Sequence, residues 1–202
     1  MKLFLNQLIK KNIIISICES GILIAIILLT NYVFDLFKVW NWSIQVFLII
    51  YAIGIYKIPN IIVNIFFLLI VPPLLFAMEN GVWAINAGQV FFEYFLVFYV
   101  FSLLYISQII SNLFKNKKNF KMIDCCIFVV SFSILIIIKY FLHSVASLLW
   151  WDSKDYLASL IYNSSWLATN SLTIIISIFI VFPIFKLFEK IDLEQKNKWQ
   201  YY

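Results

Sequence analysis

Six residues could do chemistry in a chain that otherwise offers little but apolar side chains. Glu93, in "GQVFFEYFLVF", falls about two turns into a long apolar run, with Gln89 one helical turn before it on the same face. Lys139 and His143, in "IIIKYFLHSVASLLWW", are four residues apart and share a helix face, with Trp151 at the end of that stretch. Asn163, in "SLIYNSSWLATNS", offers an amide with a donor and an acceptor together, and Trp42 stands in an earlier tryptophan-rich stretch. Charged residues inside apolar helices cost about 2.5–3.5 kcal/mol on insertion scales and usually pair around a cavity. The economical arrangement is that Glu93 meets Lys139, with His143 one turn further out. Such a group can hold a cationic or planar ligand, because a cation over an indole gains from about 0.5 to more than 2 kcal/mol as water is removed. The alternative is an ion pair that only fixes packing, with the tryptophans forming an ordinary interfacial belt.

The elements that must position these residues follow from composition. The 202 residues are 64% hydrophobic and 12% charged, with a mean hydropathy of +0.97, far from the balance of soluble domains. We read an all-α, six-helix polytopic membrane protein, one transmembrane domain over 1–202. A helix needs about 20 apolar residues to span, and the segments lie at approximately 13–34, 43–56, 59–77, 86–113, 122–146 and 156–188. The first apolar run, near Ile13, is too long for a signal-peptide core and is read as the first span, with nothing cleaved. The last segment is long enough to begin as a structured loop or short helix before it enters the membrane, and its Pro183 bends or ends it.

All fifteen basic residues are lysines, and their placement reports topology. Lys2, Lys10, Lys11, Lys57, Lys115, Lys117, Lys118, Lys121, Lys186, Lys190, Lys196 and Lys198 fall on one side, against Lys38 and Lys154 on the other. The positive-inside rule puts both termini in the cytoplasm. These lysines flank apolar runs and form no patch for nucleic acid. Glu19 and Asp124 are read as interfacial, and Asn170 as a helix-to-helix hydrogen bond. Cys18, Cys125 and Cys126 have no metal or redox spacing, and no metal site is expected. An intramembrane enzyme using His143 with Glu93 lacks a nucleophile or metal cluster to work with. No P-loop pattern occurs in the sequence.

Three segments carry a resemblance. "QVFFEYFLVF", "KYFLHSVASLLWW" and "SLIYNSSW" resemble motifs of the substrate-binding (S) components of energy-coupling factor (ECF) vitamin importers, and most closely those of the thiamine-specific member. The resemblance implies a multi-pass protein of the bacterial cell membrane that is not an enzyme, uses no cofactor and carries thiamine as transported ligand. It implies Glu93, Lys139, His143, Trp151 and Asn163 as substrate-binding residues, with a first-loop tryptophan that is Trp42, in preference to Trp40, because "WSIQ" leads straight into the second helix. It further implies an ECF transmembrane coupling subunit and two ATPase subunits as partners, with Gly21 and Ala25 as the small-residue docking motif. Two positions depart from the family pattern: Ala158, where a tyrosine is usual, and Ser147, where a glycine is usual. Both leave open a related pyrimidine or another vitamin as ligand, and a structural membrane subunit is the remaining alternative.

Overall fold

The structure, a computed structural model, describes residues 13–36, 45–58, 61–78, 87–114, 120–150 and 155–199. All its elements there are helical: α1 Ile13–Leu36, α2 Val46–Lys57, α3 Ile61–Met78, α4 Ala87–Asn112, α5 Phe120–Trp150, α6 Tyr156–Tyr162 and α7 Ser164–Trp199. Within α4 a π-helical stretch, Phe91–Leu96, and a 3-10 stretch, Val100–Leu103, interrupt the α-helical ladder. Pro183 lies inside α7, which runs on to Trp199.

Helix α2 is apolar on all sides, and a helix of that kind belongs in a core. Phe47, Leu48, Ile49, Tyr51, Ala52, Ile53, Ile55 and Tyr56 are all buried. Its twelve residues reach about 18 Å, less than the ~30 Å of a hydrocarbon layer. Contacts from α1, α3, α4 and α7 surround it instead. The Tyr51 ring stacks on Phe67 at 5.5 Å and meets the edge of Phe98 at 5.6 Å, while its hydroxyl donates to the Phe98 carbonyl. A Cβ at Gly54 would lie 2.9 Å from Phe67 Cζ, so glycine at this position lets α2 and α3 approach.

The outside of the bundle is the reverse of a soluble protein's. Ile22, Ile26 and Leu29 on α1, Val130, Ile134 and Ile137 on α5, and Ile175, Phe179 and Phe182 on α7 are exposed. Segments Ile17–Phe34, Ala87–Asn112, Lys121–Trp150 and Leu167–Leu187 are long and apolar enough to cross a bilayer. With backbone groups satisfied inside each helix and apolar side chains turned outward, this is a membrane protein.

One end of the bundle corrects the interfacial reading of Asp124. Its carboxylate is buried, 7% exposed, and takes three donors from two other helices: Tyr56 Oη at 2.5 Å, Lys57 Nζ at 2.7 Å and Ser111 Oγ at 2.5 Å. Lys57 Nζ also sits 3.7 Å from the Phe185 ring centre, which adds α7 to the cluster through a cation–π contact. A carboxylate can be buried here because its lone pairs are filled and its charge is matched. Sequence position alone placed Asp124 beside a lysine loop; the partner that matters, Lys57, comes from the end of α2.

Candidate functional site

The 31 residues of α5 extend about 46 Å and link that end of the bundle to the other. Along α5, Lys139, His143 and Ser147 recur every four residues and so form one stripe. Lys139 is 2% exposed, and its ammonium donates to the side-chain oxygen of Gln45, the residue that opens α2. Gln45 is held in turn, because its backbone N–H donates to Thr173 Oγ1 of α7 at 3.2 Å. Three helices therefore converge on one buried cation. Gln45 joins the candidate site residues through the structure alone. Its signal was an amide at the mouth of an otherwise apolar run, just after the "WSI" of Trp42–Ile44.

Glu93 sits in the π-helical stretch of α4. Such stretches are rare and recur at functional sites, because the wider turn re-aims side chains that a regular helix would space evenly. Gln89 is fully buried and donates from Nε2 to Glu93 Oε2 at 3.2 Å. The same stretch packs against α3 and α5 through aromatic rings: Phe76 meets Tyr94 at 4.8 Å, and Phe92 meets Trp150 at 5.4 Å. Trp150 follows His143 by seven residues, two turns along α5, so its ring stands on the same side of the helix. Trp151 and Trp42 lie outside the described residues.

Helix α6 is stitched along α5. Tyr140 Oη donates to the Leu160 carbonyl at 2.9 Å, Ser159 Oγ donates to the Ser144 carbonyl, and Asn163 Nδ2 donates to Ser147 Oγ at 2.8 Å. Asp155 caps the start of α6 by accepting the Ala158 N–H at 2.7 Å. Ala158 itself is exposed, whereas Ser147 and Asn163 are each 3% exposed. Of the two departures from the family pattern, Ser147 is therefore the one built into the polar cluster.

Two turns beyond Asn163, Asn170 is 0% exposed, and neither its Oδ1 nor its Nδ2 has a hydrogen-bond partner among the described residues. This overturns the reading of Asn170 as a helix-to-helix hydrogen bond. An orphaned buried amide costs about 1–3 kcal/mol. Asn170→Leu, nearly the same shape, is accordingly expected to raise the melting temperature of the purified protein; a lower one would show that the amide is partnered in solution.

Gly21 and Ala25 are on α1. Both are exposed, and a Cβ at Gly21 would meet nothing within 4 Å, so the backbone of α1 is open to close approach from outside.

The chain is similar to the solved structure of ThiT from Listeria monocytogenes, with a TM-score of 0.66 at 20% sequence identity, covering 88% of this chain and 96% of that one. The chain has the ThiT fold. No protein-family model matches it, and no curated protein matches it in sequence. The likeness to ThiT is thus one of backbone arrangement over nearly the whole length of both proteins. The resemblance to thiamine-specific S components, drawn from three short segments, extends with it to the fold.

Proposed function

We propose that this chain is the membrane-embedded substrate-binding component of an ECF-type vitamin importer, and that its ligand is thiamine. The observation that carries the reading is the set of polar groups held at costly depths, Gln89 with Glu93 on α4, Lys139 with Gln45 and Thr173 across α5, α2 and α7, and Asn163 with Ser147 and Ser159 across α6 and α5, inside a fold shared with ThiT. Thiamine joins an aminopyrimidine to a permanently cationic thiazolium. A site for it needs negative charge, flat faces and a hydrogen-bonding edge. Glu93 supplies the charge, oriented by Gln89. His143, Trp150 and the tryptophans Trp42 and Trp151 supply rings for stacking. Asn163 supplies the hydrogen-bonding edge. Lys139, tied to Gln45, stays beside this cluster as a holder of geometry and not as a contact for the cation, which it would repel.

In this reading the chain spans the bilayer six times with both termini in the cytoplasm, and the cluster opens outward. It works with a coupling subunit and two ATPases, the coupling subunit docking on the open face of α1 at Gly21 and Ala25. Purified protein in detergent is expected to show saturable quenching of tryptophan fluorescence by thiamine at micromolar concentrations or below. No quenching, together with no thiamine carried through purification by mass spectrometry, would remove the substrate assignment. Competition by hydroxymethylpyrimidine or riboflavin at equal strength would replace thiamine with a precursor or another vitamin.

A further inference from the structure

Asn163 Nδ2 lies 2.8 Å from Ser147 Oγ and 2.9 Å from the backbone carbonyl of Ser159. A backbone carbonyl can only accept, so the amide atom facing Ser159 must be the NH2 group, and the orientation of Asn163 is decided by chemistry. Both amide hydrogens are then committed. What Asn163 can still offer is its carbonyl oxygen, an acceptor. Ser147 is the converse case: its oxygen accepts from Asn163, and its own O–H remains to be given. The stripe of Lys139, His143 and Ser147 places that hydroxyl in line with the candidate site.

The geometry points to a paired donor and acceptor, Ser147 Oγ–H and Asn163 Oδ1, that reads the amino-substituted edge of a heterocycle and selects an amino group over a ring carbonyl. This deepens the thiamine reading and rests on it. In a 4-aminopyrimidine a ring nitrogen with a lone pair adjoins an exocyclic NH2. The hydroxyl donates to the first and the amide oxygen accepts from the second. A 4-oxo ring presents the opposite edge, an N–H beside a carbonyl. The serine hydroxyl can rotate to accept that N–H, but the asparagine cannot turn to face a carbonyl, since that would set its own oxygen against Ser159. Its oxygen would stay opposed to the ligand's, an arrangement that leaves two acceptors unpaired. Ser147 thus acts twice, as donor to the ring and as the second anchor on the amide.

The test is to titrate the tryptophan fluorescence of wild-type protein and of Ser147→Ala with thiamine and with oxythiamine, which carries a ring carbonyl in place of the amino group. Wild type should bind thiamine at least about tenfold more tightly than oxythiamine. Ser147→Ala should lose roughly tenfold in thiamine affinity and less in oxythiamine affinity, so that the preference shrinks. A ratio of affinities measured on one preparation does not depend on how much of the protein is folded, and Ser147→Thr, which keeps the hydroxyl, should keep the ratio. If thiamine binds but the preference is absent, or is the same in Ser147→Ala, the paired-edge proposal is overturned while the thiamine reading stands. If wild-type protein binds neither compound, both are overturned.

Discussion

Asp124→Ala is expected to lower the stability of the purified protein by about 3–5 kcal/mol, the usual cost of removing one member of a buried charge pair. The effect is large because three donors lose their acceptor together. Tyr56 and Ser111 hydroxyls would be left buried without a partner, and Lys57 would remain as an ammonium against the Phe185 ring with no counter-charge. The rings packed over this cluster, Tyr56 stacked on Phe185 at 5.7 Å and edge-to-face with Phe128 at 5.2 Å, would be disturbed as well. Asp124→Asn keeps the shape and two of the acceptor positions and should fall between wild type and alanine. Thermal unfolding in detergent, followed by circular dichroism, measures the order. An alanine variant that melts with the wild type would show that these contacts contribute nothing net. Because Asp124 lies about 22 Å or more along α5 from Lys139 and beyond, thiamine affinity measured well below the melting temperature should change little.

Glu93→Ala should have the largest effect on binding. A hydrogen bond to a charged group is worth about 1.5–3 kcal/mol, and the ligand proposed is itself a cation, so the loss in thiamine affinity should lie between about tenfold and a hundredfold. Glu93→Gln separates the two contributions: it keeps an acceptor oxygen and the contact with Gln89 while removing the charge. If attraction to the thiazolium dominates, glutamine will bind thiamine nearly as poorly as alanine does. If the hydrogen bond dominates, it will retain most of the affinity. Titration of both variants, with a melting curve to establish that each is folded, decides between them, and unaltered affinity in both would move the site elsewhere.

Much of the fold could be read from the chain alone because bilayer energetics act on composition and length. Apolar runs become helices wherever water is absent, since only a helix satisfies its own backbone there. The α5 stripe was legible for a similar reason: residues four apart share a face whatever else the helix does. The joint at Asn163 was partly legible too, as a polar segment too long to be all membrane.

What the tertiary structure decided is which faces meet. Gln45 and Lys139 are 94 positions apart, and Asp124 takes its donors from residues 13, 67 and 68 positions away. Nothing in local spacing distinguishes Asp124, buried among partners, from a carboxylate at the interface, or Asn170, with no partner among the described residues, from an asparagine that bridges helices. Ser147 stood out in the sequence only as a substitution for glycine; its role as anchor of Asn163 depends on α6 lying along α5. The sequence by itself determined that this chain is a bundle of membrane helices carrying a few charged and amide groups at costly depths. Only the packing determined which of those groups are satisfied, because a hydrogen bond depends on angstrom-scale placement of two side chains while helix formation depends on each segment alone.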